Sequence, residues 1–200
     1  MSPAWLLVLI LVPVSICRGA KVLGVFPFPS RSHLIVQKAL MFELARQGHE
    51  VTVVSPFPEN KAIPNYTEIE VKTRDKDLMG NAVPQNLFDM ESLSTVQMAF
   101  MMWFMGEAVC NRVLQEENLQ KLIHSTDRHF DVVVVEAFSN ECFLGFAHKF
   151  KAILIQVCTY GGANFMADWV GNPSPYSYVP DEFLHYADKM SFWERMHNTV

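Results

Sequence analysis

Apolar residues in this chain fall into short runs separated by amphipathic stretches, and the order of the two kinds sets the fold class. Residues 21–26 (KVLGVF) form a β-rich run and 27–32 are irregular. A helical pattern then extends from about His33 to Gln47, with Gly48 placed to end it in the left-handed conformation. A second β-rich run, 51–54, follows at once. Strand, helix, glycine stop and strand make a βαβ unit, whose parallel crossover is right-handed almost without exception. The helix carries Leu34, Ile35, Val36, Leu40, Met41, Phe42 and Leu44 around much of its circumference, as expected of one packed on a sheet and covered by further elements. Prolines and mixed charges fill 56–90, with one strand at about 67–72. Residues 91–124 read as one or two helices that open on a Met- and aromatic-rich patch, 98–105. The run DVVVVE (131–136), a helical stretch at about 140–150 and AILIQV (152–157) make a second βαβ unit. After Tyr160 the chain is irregular until a last helix begins at about Lys189, with Phe192, Trp193, Met196 and Val200 on one face. Two βαβ units joined by a variable middle predict a doubly wound, mostly parallel α/β domain.

The first 17 residues contain no Asp, Glu, Lys or Arg, and the run from Leu6 to Val12 is apolar throughout. This pattern is that of a secretory signal peptide cleaved near residue 17, and by residue 20 at the latest, and it is too short to serve as a permanent anchor. The domain organisation that follows is a signal peptide (1–17), a Rossmann-like domain (18–188) and the start of a further helix (189–200), as though the chain were cut inside an element. The triplet Asn65-Tyr66-Thr67 is a glycosylation acceptor compatible with secretory entry. Cys110, Cys142 and Cys158 remain after cleavage, an odd number without CxxC spacing, which predicts neither a disulfide framework nor a metal knuckle and leaves at least one thiol free. Only 18% of the residues are charged, against about 25% in ordinary domains, so the fold is apolar. The net charge of -5, with no basic block, excludes an electrostatic nucleic-acid binder.

Open parallel sheets bind ligands beyond the carboxyl ends of their strands, which singles out PFPSRSH after the first strand, Glu136 with AFSN, and CTYGG. The first segment lacks G-x-G-x-x-G and so offers no phosphate cradle for a dinucleotide, which makes an oxidoreductase a distant alternative. His33, near the first turn of a helix, is favoured there as a neutral imidazole able to accept a proton. Glu136 would orient the ring and stabilise the imidazolium formed. The plain alternative is a helix-end histidine and a solvated strand-end carboxylate. Ser30 and Ser32, without a nucleophile elbow around them, read as caps of the helix. No histidine spacing fits a metal site. The Met and aromatic patch reads as helix core, or as a pliant wall for lipophilic molecules.

The segments VLGVFPFPSRSHLIVQKALMFELARQGHEVTVVSP, FDVVVVEAFSNECFLGFAHKF and SFWERMHNTV, behind a signal peptide, resemble the amino-terminal half of animal UDP-glycosyltransferases, especially the insect-like branch, a family that includes the UDP-glucuronosyltransferases. The resemblance implies the amino-terminal, acceptor-binding Rossmann-like domain of a GT-B fold. It implies that His33 is the general base for inverting, metal-independent transfer of glucose or glucuronic acid from a UDP-sugar to a small lipophilic hydroxyl, a detoxification chemistry. Glu136 matches the acidic partner, which in many vertebrate members is Asp. Phe28, Ser32, Met98, Met102, Phe104 and Tyr160 are the expected acceptor contacts. The UDP-sugar would be bound mainly by a carboxyl-terminal domain, and the protein would lie in the lumen of the endoplasmic reticulum, anchored by a helix outside these residues, with homo- or hetero-oligomers open to it. This chain alone would be inactive. A noncatalytic lumenal lipophile-binding or regulatory short isoform is the alternative.

Overall fold

A computed structural model describes residues 19–59, 61–73, 90 and 92–199, so the expected signal peptide and Val200 lie outside the described residues. Five parallel strands form one sheet: β1 (Lys21–Val25), β2 (Glu50–Ser55), β3 (Tyr66–Glu70), β4 (Val132–Glu136) and β5 (Ile153–Val157), in the spatial order β3-β2-β1-β4-β5. The chain winds outward from β1 to β3, then returns to β1's other side for β4 and β5. That reversal places a topological switch point between β1 and β4. Both predicted βαβ units are present with parallel pairing, Val25 opposite Val54 on one side and Val135 on the other.

The three central strands are apolar on both faces because both faces are covered. On one face lies α1 (Arg31–Arg46), which packs Leu34, Met41 and Ala45 on Val22, Phe26, Val51, Val53 and Val134. On the other, α2 (Thr95–Leu114), α3 (Glu117–His124) and α4 (Gly145–Phe150) bury Val109, Val113, Leu119, Leu122, Phe146 and Phe150 against Leu23, Val25, Val54, Val133 and Val135. Strand alternation sends odd and even residues to the two clusters. Gly48, at φ 93°, supplies the predicted helix stop. A capping box, Ser94 with Gln97, starts α2.

Several expectations are corrected. The outer face of α1 is not covered among the described residues, for Ile35, Val36 and Leu40 stand exposed. Ser30 occupies the N-cap position, yet its hydroxyl bonds Ser32 Oγ at 2.8 Å and makes no cap bond. Cys110 and Cys142 form a disulfide although nothing in their spacing announces it, since only the packing of α2 against the segment after β4 brings their Cα atoms to 6.2 Å. Cys158 is the free thiol. A short helix, α5 (Asn164–Trp169), occupies part of the stretch read as irregular. The last helix, α6 (Phe192–Thr199), leaves Phe192, Trp193 and Met196 exposed, in keeping with an apolar face that lacks a partner among the described residues, and docks through buried Asn198, which donates to the Tyr176 and Val179 carbonyls at 2.6 and 2.8 Å. The Asp181 amide donates to the Asn198 side-chain oxygen at 2.7 Å, so this one residue serves three loop backbone groups. No described helix is long and apolar enough to cross a membrane.

Candidate active site

β1 ends at Val25, and the chain crosses the carboxyl edge of the sheet through 26–30 before turning into α1, which makes His33 the third residue of that helix. β4, the next strand across the switch point, ends on Glu136. His33 Nδ1 and Glu136 Oε1 are 2.6 Å apart, with the histidine side chain 20% exposed and the glutamate side chain fully enclosed. Two residues separated by 103 positions thus meet because their strands are neighbours. A charge this deeply buried persists only with partners. Glu136 has a second one: Thr159, in the segment after β5, donates its hydroxyl to the same oxygen at 2.8 Å and lies 3.3 Å from His33 Nδ1.

With the proton on Nδ1 donated to the carboxylate, the ring's other nitrogen, Nε2, carries the lone pair and has no hydrogen-bond partner among the described residues. An aromatic wall stands around the pair. Phe28 and Phe138 lie 5.1 and 4.7 Å from the His33 ring, and Phe138 in turn contacts Tyr160 at 5.7 Å. The Tyr160 hydroxyl donates to the Ala137 carbonyl at 3.1 Å. Burial first, then the charges of Cys158, Glu182 and Glu136, push its ionisation well above the ordinary tyrosine range, so it remains a neutral donor.

Of the residues expected at the site, His33 contacts both Glu136 and Phe28, and Tyr160 joins them through Phe138. Ser32 is exposed and paired with Ser30. Met98 and Met102 are half-buried and Phe104 is exposed beside Trp103, and among the described residues none of the three shares a hydrogen bond or ring contact with the pair. The buried stripe of α2 is instead Met101, Met105, Val109 and Val113. Asn65 is exposed, at φ 57°, with its side-chain amide 3.4 Å from the Ala45 carbonyl. Thr159 and Phe138 were missed by the sequence reading, although both lie in the segments after β4 and β5 that topology singles out.

A buried carboxylate holding one nitrogen of an imidazole at the carboxyl edge of a parallel sheet leaves the other nitrogen able to accept a proton. Residues 20–200 match the family described as UDP-glucoronosyl and UDP-glucosyl transferase. UDP-glycosyltransferase UGT5 of Dactylopius coccus is 32% identical over 94% of this chain and 36% of its own length. UDP-glucosyltransferase 2 of the same insect is 33% identical over 97% and 37%. UDP-glucuronosyltransferase 2B30 of Macaca fascicularis is 27% identical over the whole chain and 41% of its own length. The chain therefore belongs to the UDP-glycosyltransferase family, and it spans little more than a third of the length of the insect relatives it matches.

Proposed function

We propose that this chain is the acceptor-binding half of a UDP-glycosyltransferase, the amino-terminal domain of a GT-B enzyme, and that His33 is its general base. An acceptor hydroxyl lies against Nε2 and gives it the proton as the hydroxyl oxygen attacks the anomeric carbon of the sugar. The new C–O bond forms as the bond from that carbon to UDP breaks, from the opposite face, so the anomeric configuration inverts and UDP departs with the bonding pair. Glu136 holds Nδ1–H, fixes the tautomer and offsets the positive charge the ring acquires. Glucose or glucuronic acid is the sugar and a small lipophilic alcohol or phenol the acceptor, received beside Phe28, Phe138 and Tyr160. The UDP-sugar is held mainly by a second domain, and the enzyme works in the lumen of the endoplasmic reticulum.

The single observation that carries this reading is the 2.6 Å contact between His33 Nδ1 and a carboxylate only 1% exposed, at the switch point of the sheet. In the complete enzyme, His33→Ala should lower kcat by about 10²- to 10⁴-fold while leaving UDP-sugar affinity unchanged. Glu136→Gln should lose more than Glu136→Asp, because Gln keeps the shape and loses the charge. A His33→Ala enzyme that turns over at the wild-type rate refutes the assignment.

A further inference from the structure

Among the described residues, the second oxygen of Glu136, Oε2, is buried without a hydrogen-bond partner, and so are Gln37 Nε2 and Ser55 Oγ. All three residues are nearly inaccessible, at 1%, 1% and 0% exposure for Glu136, Gln37 and Ser55. Alternation along the strands puts them in one layer. Ser55 follows Val51 and Val53 on the α1-facing side of β2, and Glu136 follows Val134 on the same side of β4. The register sets Val54 and Val135 opposite Val25, so Ser55 and Glu136 flank the backbone of Phe26 at one level of the sheet. Gln37 belongs to the buried stripe of α1 with Leu34 and Met41, one turn beyond His33, whose ring already reaches Glu136. Asn140 also has unpaired buried amide atoms, but it follows Ser139, whose backbone lies against Gly106 of α2 on the other side of the sheet.

An amide donor and a carboxylate oxygen enclosed in the same layer are complementary, and each left alone would bear the full cost of desolvation. We propose that Gln37 is a positioning residue: its Nε2–H donates to one bound water, shared with Ser55 Oγ, that in turn donates to Glu136 Oε2, and so holds the carboxylate whose other oxygen orients His33. The inference rests on the assignment of His33 and Glu136 as base and partner. It adds that α1 carries two determinants of the site, the base and the group that fixes the base's partner.

A double-mutant cycle in the complete enzyme tests it, read as the equilibrium constant for unfolding of this domain in urea. Gln37→Met should raise that constant about tenfold in the wild-type background, the scale of one hydrogen bond to a charged group, and less than about twofold in the Glu136→Gln background. Equal factors in the two backgrounds overturn the proposal. If Gln37→Met does not fold, Gln37→Leu, which removes the donor without adding a charge, is put through the same cycle with the same two outcomes. In the complete enzyme Gln37→Met should lower kcat about tenfold with KM for the acceptor unchanged, and a loss confined to KM also overturns it. Coupling in urea together with an unaffected kcat for Glu136→Gln would show that the assignment of Glu136 as the base's partner has failed while the hydrogen bond stands.

Discussion

The Cys110–Cys142 bridge ties α2 to the short 3-10 helix, Glu141–Leu144, that follows the Glu136 strand, and its contribution can be worked out from its position. The two residues are separated by 32 positions. In the chain-entropy account a closed loop of that size removes about 12 cal/mol/K from the unfolded ensemble, or about 3.7 kcal/mol at room temperature. For a domain of this length each kcal/mol moves the melting temperature by about 2–4 °C, so reduction should lower it by about 7–15 °C. The clean comparison is oxidised against reduced wild-type protein, residues 18–200, because Cys110→Ala with Cys142→Ala would also take two sulfurs from the margin of the core. Thiol titration in denaturant should find one reactive group, Cys158, before reduction and three after it. Three thiols without reductant, or melting temperatures within about 2 °C of each other, would refute the reasoning.

Two further predictions concern charges. Lys38, its side chain 8% exposed, sits between Glu59 and Glu68 at 3.0 and 2.9 Å, so Lys38→Met should destabilise the fold by about 3 kcal/mol in urea, whereas Glu59→Gln, at the more open end of the cluster, should cost under about 1 kcal/mol. Equal costs would show that burial does not govern the cluster. Glu43, exposed on α1, is held down to about 2 by the side-chain hydrogen bond from Arg46 and then by that from Gln47. Its folded value lies below its unfolded one, so whatever stability it contributes is present at neutral pH and is lost as pH falls from about 4.5 towards about 2. A carboxyl NMR titration should show that low midpoint, and Arg46→Met should move it upward; a midpoint unchanged by the substitution would remove the guanidinium as the cause.

Much of this protein is legible in its residue order. Uninterrupted apolar runs such as VVVV can satisfy their side chains only inside a covered sheet, and a helix between two of them forces parallel pairing, so both βαβ units follow from local pattern. Gly48 ends α1 for a reason internal to one residue, its freedom to take positive φ. Glu136 is legible as a strand-end residue and His33 as a residue of the first turn after the loop that follows β1, because topology alone decides that such positions gather on one edge.

Tertiary structure decided what depends on which segments meet. The pairing of Cys110 with Cys142, the hydroxyl of Thr159 on the glutamate oxygen and the ring of Phe138 beside the histidine all join elements whose separation in sequence carries no signal. The last helix is the sharpest case. Its apolar spacing puts Phe192, Trp193 and Met196 on one face, which stands exposed, and gives no sign that Asn198 is the residue buried, which follows from the loop carbonyls at 176 and 179 that take its amide. A periodic pattern records what a helix is able to bury, and the neighbouring backbone's unmet hydrogen bonds determine what it does bury.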